Sequence, residues 1–167
     1  EGQWVRVIGG WSPYQVEEKR MPTIEEINEA TGDTPAFVLY LYSRGWLNKA
    51  GLDALGIDKN TQPPNSDSRY EKDKNGNPTG VLLAEPNAMI LYQVIGKMPQ
   101  LSKEEMINST KHFHRELNRF GLTSAIDAGG GGHTFPDDYE ASKSLATSGA
   151  SSLRVSYYLF PQKAGEE

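Results

Sequence analysis

The feature that most restricts the possible folds is a short apolar run that ends in a carboxylate and leads into a glycine-rich loop. Residues 121–127 read Gly-Leu-Thr-Ser-Ala-Ile-Asp, and four glycines at 129–132 precede His133. The run has the composition of a buried strand, and helix-like segments lie on both sides of it. Alternating helices and strands favour an α/β fold with a parallel sheet, in which ligands and catalytic groups gather at the carboxyl ends of the strands. Asp127 and His133 are therefore the first candidate functional residues.

Composition narrows the classes of partner and of site chemistry. The 167 residues can form one domain with a core, and the net charge of −5 disfavours a nucleic-acid or anionic-membrane surface. The absence of cysteine excludes disulfides, a thiol nucleophile and thiolate metal ligands. No run approaches the roughly 20 apolar residues that a membrane span needs. We thus expect neither nucleic acid nor membrane as a partner, while the cellular compartment stays open.

The two ends of the chain favour a segment cut from a longer protein. The sequence starts at Glu1 instead of Met, and it ends at Glu167 shortly after a strand-like run. A removed tag or leader would explain the first observation equally well.

Strands and helices alternate along the first 100 residues. Thr23 and Glu26 form a capping-box pattern that predicts a helix to about residue 30. Asn75 and Gly76 predict a hairpin, which we interpret as an excursion from the main sheet. The other predicted elements are strands at 4–8 and 36–42, hairpin strands at 69–71 and 79–83, and a helix over 46–55 that ends at Gly56.

The last third of the chain has a helix–strand–helix–strand order. Ser102 and Glu105 form a second capping box, which opens a helix that reaches Phe120 with apolar residues at helical spacing. A strand at 122–127, a helix at 137–147 and a strand at 153–160 follow. This order predicts parallel strands with right-handed crossovers.

The three histidines raise the question of a metal site. His112 and His114 lie in the predicted helix, where side chains two residues apart diverge by about 200°, so they cannot easily share one ion. We interpret both as part of a solvated helix face. His133 lies in the glycine loop beyond a strand end, where a neutral imidazole could act as a base or a ligand. The alternative for His133 is an exposed residue of a mobile loop.

Two carboxylates follow apolar strands. Asp127 needs a partner if it is buried, whether a cation, backbone N–H groups or a metal. A structural role in the turn is an equally good interpretation of Asp127, and it is the favoured one for Glu85. A phosphate-binding role for the glycine loop is set aside, because no Lys followed by Ser or Thr completes the pattern and Asp137 and Asp138 would repel an anion.

Several phrases of the sequence together resemble one protein family. They occupy residues 3–11, 19–23, 47–57, 73–82 and 121–127, and the Asp-Lys-Asn-Gly-Asn-Pro-Thr-Gly phrase at 73–80 is the most specific element. Their order and spacing are similar to those of the YtcJ-like amidohydrolases, a branch of the metal-dependent hydrolases with a TIM-barrel catalytic domain. The resemblance covers nearly the whole chain, from Trp4 to about Gln162.

The resemblance implies an α/β fold made of the early strands and helices of a TIM-barrel-type amidohydrolase domain plus an inserted α/β subdomain. Residues 1–35 would be the early barrel, 36–100 the insertion with its hairpin, and 101–167 a further barrel segment. Relatives carry their H-x-H metal motif upstream of such a segment and their remaining ligands downstream. The complete enzyme would use a divalent metal, with zinc expected, to hydrolyse amide-like C–N bonds of a small molecule. This segment would hold no cofactor and would be inactive alone.

Within the complete enzyme, the resemblance implies that this segment lines the substrate pocket. The candidate substrate-binding residues are Trp11, Tyr42, Trp46, Asn48, Asp127 and His133. Gly45 stands where many relatives place a histidine, so a substrate contact is expected to differ there. An incomplete barrel would also expose strand edges and self-associate. Two other interpretations stay open, a free-standing α/β module that binds a small ligand and an interaction domain without catalysis.

Overall fold

The computed structural model describes residues 3–85, 87–128 and 135–159. The chain divides into two compact units, Glu1–Pro99 and Gln100–Glu167, which we call the N-terminal and C-terminal units. Both units combine helices with strands, which confirms the predicted α/β class. Among the described residues, no helix has the length and apolar character needed to cross a membrane.

The N-terminal unit is built on one five-stranded sheet. Its strands run in the spatial order β1-β2-β3-β5-β4, in which β1 and β2 are parallel and the other neighbours are antiparallel. The strands are β1 Val5–Ile8, β2 Ala36–Tyr40, β3 Arg44–Leu47, β4 Arg69–Lys72 and β5 Pro78–Leu83. The helices are α1 Ile24–Thr31, α2 Lys49–Leu55 and α3 Met89–Lys97.

Local signals explain where these helices begin and end. The predicted capping box holds the start of α1, with the Thr23 hydroxyl accepting from the Glu26 N–H and the Glu26 carboxylate accepting from the Thr23 N–H. Asn48 caps α2, and Gly56 ends it in the left-handed conformation at φ +63°. These features confirm the helix starting after Thr23 and the stop at Gly56.

The sheet is covered on both faces, as the nearly all-apolar β2 predicted. On one face, Phe37, Leu47 and Leu82 belong to a core that includes α3. On the other face, Ala36 and Trp46 form a smaller buried cluster with Ile27 of α1. Alternate residues of β2 therefore serve two separate cores.

Two expectations for this unit are corrected, and one helix was not expected. The helix predicted over 46–55 begins only after Asn48, because Trp46 and Leu47 are in β3 and pair with Val38 and Phe37. The hairpin at 69–83 forms, but β5 pairs with β3, so it extends the main sheet and is no excursion from it. Helix α3 had no sequence prediction.

The predicted domain boundaries keep the status of a prediction. Strand β1 pairs with β2, so residues on both sides of position 35 share one sheet. The division into two units lies between Pro99 and Gln100. The assignment of 1–35 and 101–167 to a barrel and of 36–100 to an insertion therefore rests on the resemblance.

The described part of the C-terminal unit contains two α-helices and a two-stranded parallel sheet. Its elements are α4 Lys103–Arg119, β6 Ser124–Asp127, α5 Glu140–Thr147 and β7 Arg154–Tyr157. The Ser102–Glu105 capping box forms, and β6 and β7 pair in parallel as predicted, while the right-handed crossover stays a prediction. Much of the apolar surface of this unit is uncovered, as Phe113, Phe120 and Ile126 are 61%, 70% and 66% exposed.

Candidate functional site

A cleft in the N-terminal unit surrounds one of the predicted substrate-binding residues, Trp11. Gly9 and Gly10, at φ +99° and +77°, turn the chain after β1 and bring Trp11 back toward the sheet. The indole N–H donates to the Leu39 carbonyl oxygen at 2.8 Å, and the ring centroid lies 5.3 Å from that of Tyr40. The cleft has a volume of about 310 Å³ and is lined by Val7, Trp11, Val16, Glu18, Arg20, Pro22, Glu26 and Val38.

An ion pair lies among the residues that line this cleft. Arg20 donates to both carboxylate oxygens of Glu26, with N–O distances of 2.6 and 2.9 Å. These bonds, together with that from the Thr23 N–H, lower the pKa of Glu26 to about 2, and the same pair raises the pKa of Arg20. The charges of the cleft are thus largely paired, and valine, proline and tryptophan offer an apolar surface. Such a lining suits an apolar substituent.

The turn between β2 and β3 exposes the Tyr42 side chain to solvent. Leu41 and Tyr42 are 61% and 67% exposed at the carboxyl end of β2. Leu41 has φ +50°, a left-handed conformation that is costly for a residue with a branched side chain. The turn therefore presents two apolar side chains to solvent beside a parallel strand end. A contact between Tyr42 and a substrate stays a prediction.

Trp46 and Asn48 lie in the interior. Trp46 is 2% exposed, in the cluster with Ile27 and Ala36. Asn48 is fully buried, and its amide oxygen accepts from the N–H groups of Ala36 and Gly51 at 2.9 and 2.7 Å. Its amide nitrogen donates to Thr31 Oγ1 and to the Thr34 carbonyl oxygen at 2.9 and 2.8 Å. These four bonds give Asn48 a structural role, and its contact with a substrate stays a prediction.

The surroundings of Gly45 leave no room for a larger side chain. A Cβ atom at this position would lie 2.9 Å from the Phe37 ring and 3.0 Å from Leu91. Glycine is therefore the residue that allows β3 to pack against Phe37 here, and a larger side chain would force the core apart.

In the C-terminal unit, Asp127 lies at the carboxyl end of β6 beside an aromatic group. Asp127 and Tyr157 are register partners, and the Tyr139 and Tyr157 rings stack with centroids 4.3 Å apart. The Phe135 ring lies 6.2 and 6.3 Å from them. Burial raises the pKa of Tyr139, and so do the charge of Asp127 and their side-chain hydrogen bond. Tyr139 therefore keeps its proton at neutral pH and acts as a hydrogen-bond donor to the carboxylate.

Phe135 and Tyr139 were not among the residues predicted from the sequence. Both lie in the connection between β6 and α5, beyond the glycine-rich loop and His133 that drew attention in the sequence. The only available signal is that two aromatic residues flank Pro136 and two acidic residues in a predicted helix start. Their proximity to Tyr157 arises from the parallel pairing of β6 with β7, which places both strand ends together.

The histidines do not form a metal centre in the part of the chain that the structure describes. His112 is exposed, whereas His114 is only 3% exposed, so the two rings lie on different faces of α4. The prediction that His114 lies on a solvated helix face is therefore wrong. His114 Nδ1 lies 3.5 Å from Ser151 Oγ, and packing against the turn after α5 buries the ring. Among the described residues, no group of three or more His, Asp or Glu side chains could hold a metal. His133 lies outside the described residues.

Comparisons with known proteins connect the whole chain to one family. The model of the amidohydrolase family matches residues 1–167. The N-substituted formamide deformylase of Arthrobacter pascens is 31% identical over 131 residues, which are 76% of this chain and 23% of that protein. The chain thus spans less than a quarter of the length of this relative. No solved structure gives a significant match.

Proposed function

Because this chain belongs to the amidohydrolase family, we propose that it is a segment of a hydrolase that cleaves amide-like C–N bonds of small molecules. The observation that carries the proposal is the match of the family model from the first residue to the last. The related protein is named for deformylation of N-substituted formamides, a reaction that breaks a C–N bond. We therefore infer N-substituted amides as the substrate class, with formamides as the first compounds to test.

The proposal includes a TIM-barrel-type domain with an insertion, of the YtcJ-like kind. Its support is the arrangement of strands in each unit. The strands β1 and β2 are parallel, and so are β6 and β7. In each pair a helix lies between the two strands along the chain, and this strand–helix–strand arrangement is the repeating unit of such a barrel. The antiparallel strands β3, β5 and β4 continue the sheet from β2 and suit an insertion, which on this interpretation begins after β2 and not at residue 36 as first expected.

In this proposal the metal ligands come from the remainder of the complete protein. The described residues do not fit a metal, since they contain no suitable group of three ligands. A divalent ion, expected to be zinc, would activate the attacking water in the complete enzyme. The present chain would contribute the surface against which the substrate rests, and it would be inactive alone.

Trp11 and Tyr42 are the residues of the N-terminal unit that we assign to substrate contact. Both follow the carboxyl ends of the parallel strands β1 and β2, the edge where barrel enzymes bind their substrates. Trp11 lines an apolar cleft, and Tyr42 is free of the core. In the C-terminal unit, Asp127 lies at the carboxyl end of β6 and is hydrogen-bonded to Tyr139.

A free-standing binding module is the second candidate function. The cleft around Trp11 supports it, because residues of the N-terminal unit alone form all of its lining. On this interpretation the isolated chain would bind a small apolar ligand without turnover.

The test is an assay of amine release from N-substituted formamides and acetamides. We expect the protein made from the complete reading frame, loaded with zinc, to hydrolyse members of this panel and to lose activity with a chelator. The 167-residue chain should release no amine. Absence of hydrolysis by the complete, metal-loaded protein across the panel would contradict the hydrolase proposal. Turnover by the isolated chain would contradict its assignment as a pocket-lining segment.

Substitution of Tyr42 in the complete protein tests the assigned contact. Because Tyr42 is exposed, Tyr42→Ala should leave the fold intact and raise KM by roughly three- to tenfold, as expected for loss of one aromatic contact worth about 1 kcal/mol. Tyr14→Ala, which removes a tyrosine that is 79% exposed, is the matched control and should leave KM unchanged. Equal KM values for all three proteins would remove Tyr42 from the site.

A further inference from the structure

One side of α4 carries two cations that form no ion pair with any described carboxylate, although Lys111 also lines a neighbouring cleft with Glu104 and Glu105. Lys111 and Arg115 are exposed and lie one helical turn apart. Neither side chain makes an ion pair or a hydrogen bond with any residue in the described ranges, whereas the Arg119 side chain, one turn further on, pairs with Glu116. Like charges at this spacing repel each other and weaken the helix, so the arrangement calls for a counter-charge.

Lys111 and Arg115 line a cleft between α4 and the segment that joins α5 to β7. The cleft has a volume of about 340 Å³, and the other residues around it are His114, Asn118, Ala150 and Ser152. None of these six residues, all within the described part of the chain, is acidic. The site is therefore positive and polar, although the chain as a whole has a net charge of −5.

Hydrogen bonds hold the walls of this cleft in place. The Asn118 amide nitrogen donates to the carbonyl oxygens of Leu122 and Ser152 at 2.9 and 3.4 Å. The N–H groups of Ala150 and Ser151 both donate to the Leu145 carbonyl oxygen, at 2.9 and 3.0 Å. The backbone around the cleft is thus already ordered, which lowers the entropic cost of binding a ligand.

We propose that this cleft binds a small oxyanion, namely phosphate or the phosphate group of a small molecule. The planar guanidinium of Arg115 offers paired donors that match two phosphate oxygens, and the Lys111 ammonium adds a second positive charge. The Ser152 hydroxyl is a further donor. The volume exceeds that of a phosphate group, so a small organic substituent would also fit. None of the residues around this cleft is assigned to substrate contact, so the inference does not depend on the proposed hydrolase function.

The test is an NMR titration of the 167-residue chain with sodium phosphate, at an ionic strength kept constant with chloride. We expect saturable shifts of the backbone amides of residues 111–118 and 150–152. A parallel titration with glycerol phosphate identifies the source, since tighter binding than that of inorganic phosphate indicates a phosphorylated small molecule. Equal binding indicates free phosphate. No saturable shift with either probe would overturn the proposal, as would identical shifts produced by chloride alone.

Charge-matched variants decide whether these two side chains are responsible. The double variant Lys111→Gln with Arg115→Gln should weaken phosphate binding at least tenfold. The control, Lys97→Gln with Lys143→Gln, removes the same net charge at exposed positions outside the cleft and should bind as the unaltered chain does. Equal weakening in both double variants would show that only net charge matters and would overturn the site. Unchanged binding in the cleft variant would do the same.

Discussion

At the scale of single residues, Asn48 joins three parts of the N-terminal unit. Its amide bonds to the end of α1, to the start of β2 and to the first turn of α2. We predicted a substrate contact for Asn48 because it lies in a stretch that resembles the family. The resemblance of a stretch of sequence does not indicate which of its side chains face inward. Only the pairing of β3 with β2 reveals that Asn48 lies inside.

Loss of the Asn48 amide should destabilise the N-terminal unit. Asn48→Ala removes a helix cap and leaves the buried Ala36 N–H without an acceptor, so the free energy of unfolding should fall by about 2–4 kcal/mol. Tryptophan fluorescence during urea unfolding measures this unit selectively, because the three tryptophans, at positions 4, 11 and 46, all belong to it. Gln93→Ala on the exposed side of α3 is the control, with an expected change within about 0.5 kcal/mol. A similar urea midpoint for the two variants would contradict the structural role.

The Arg20–Glu26 ion pair should make the stability of the N-terminal unit depend on pH. The folded-state pKa of Glu26 is lowered to about 2 from an ordinary value of 4.5, so its stabilising effect is present above pH 4.5 and is lost as the pH falls toward 2. Glu26→Gln should therefore lower the urea midpoint at pH 7, and the difference from the unaltered chain should vanish near pH 2. Glu29→Gln is the control, because Glu29 makes no ion pair with any described residue. A difference for Glu26→Gln that does not change with pH would refute the assigned cause.

At the scale of secondary-structure elements, the sequence correctly predicted the helix starts and turns that are determined by local hydrogen bonds. The capping boxes at Thr23 and Ser102 and the Asn75–Gly76 turn are local features, and each forms as predicted. The predicted start of the second helix, at Trp46, was too early because the apolar residues there fit both helical spacing and a strand buried on both faces. Tertiary pairing with β2 decides the outcome there.

The placement of the candidate site residues was less predictable from sequence than these elements. Trp11 was named as an aromatic pocket residue, but its partners Arg20 and Glu26 lie beyond a loop whose path depends on Gly9 and Gly10. Tyr139 was missed because its link to Asp127 depends on two strand ends meeting in space. Long-range proximity of this kind leaves no periodic trace in one sequence.

Gly80 in β5 provides a test of how tightly the elements pack. It has φ +104°, and an added Cβ would lie 2.2 Å from the Leu47 carbonyl oxygen and 2.8 Å from Ile24. Gly80→Ala should lower the free energy of unfolding by about 2–5 kcal/mol, because both the backbone strain and the overlap must be relieved. Gly96→Ala in α3 is the control: its Cβ meets no atom within 4 Å, and alanine favours a helix by about 0.5–1 kcal/mol. Equal effects of the two substitutions on the urea midpoint would contradict the close approach.

At the scale of the whole molecule, uncovered apolar surface is the dominant feature of the C-terminal unit. The sheet has two strands, so β6 and β7 each leave one edge unpaired within the described residues. The apolar spacing of α4 predicted a buried face, yet Met106, Phe113 and Phe120 on that face are exposed. A segment that spans less than a quarter of a relative's length would leave such surfaces for the remainder of the protein to cover.

The isolated chain should therefore self-associate through the C-terminal unit. Light scattering after size exclusion should give a mean mass that rises with concentration, because unpaired strand edges and apolar faces bind one another. Ile126→Lys, on the exposed face of β6, should shift the distribution toward monomer by placing a buried charge in any such contact. Leu41→Lys removes a comparably exposed apolar side chain, 61% against 66%, from the N-terminal unit and should leave the association unchanged.

If the unaltered chain stays monomeric at high concentration, the apolar surface does not drive assembly, and the free-standing binding module becomes the better interpretation. If both lysine variants dissociate equally, the contact is general and does not lie on the β6–β7 sheet.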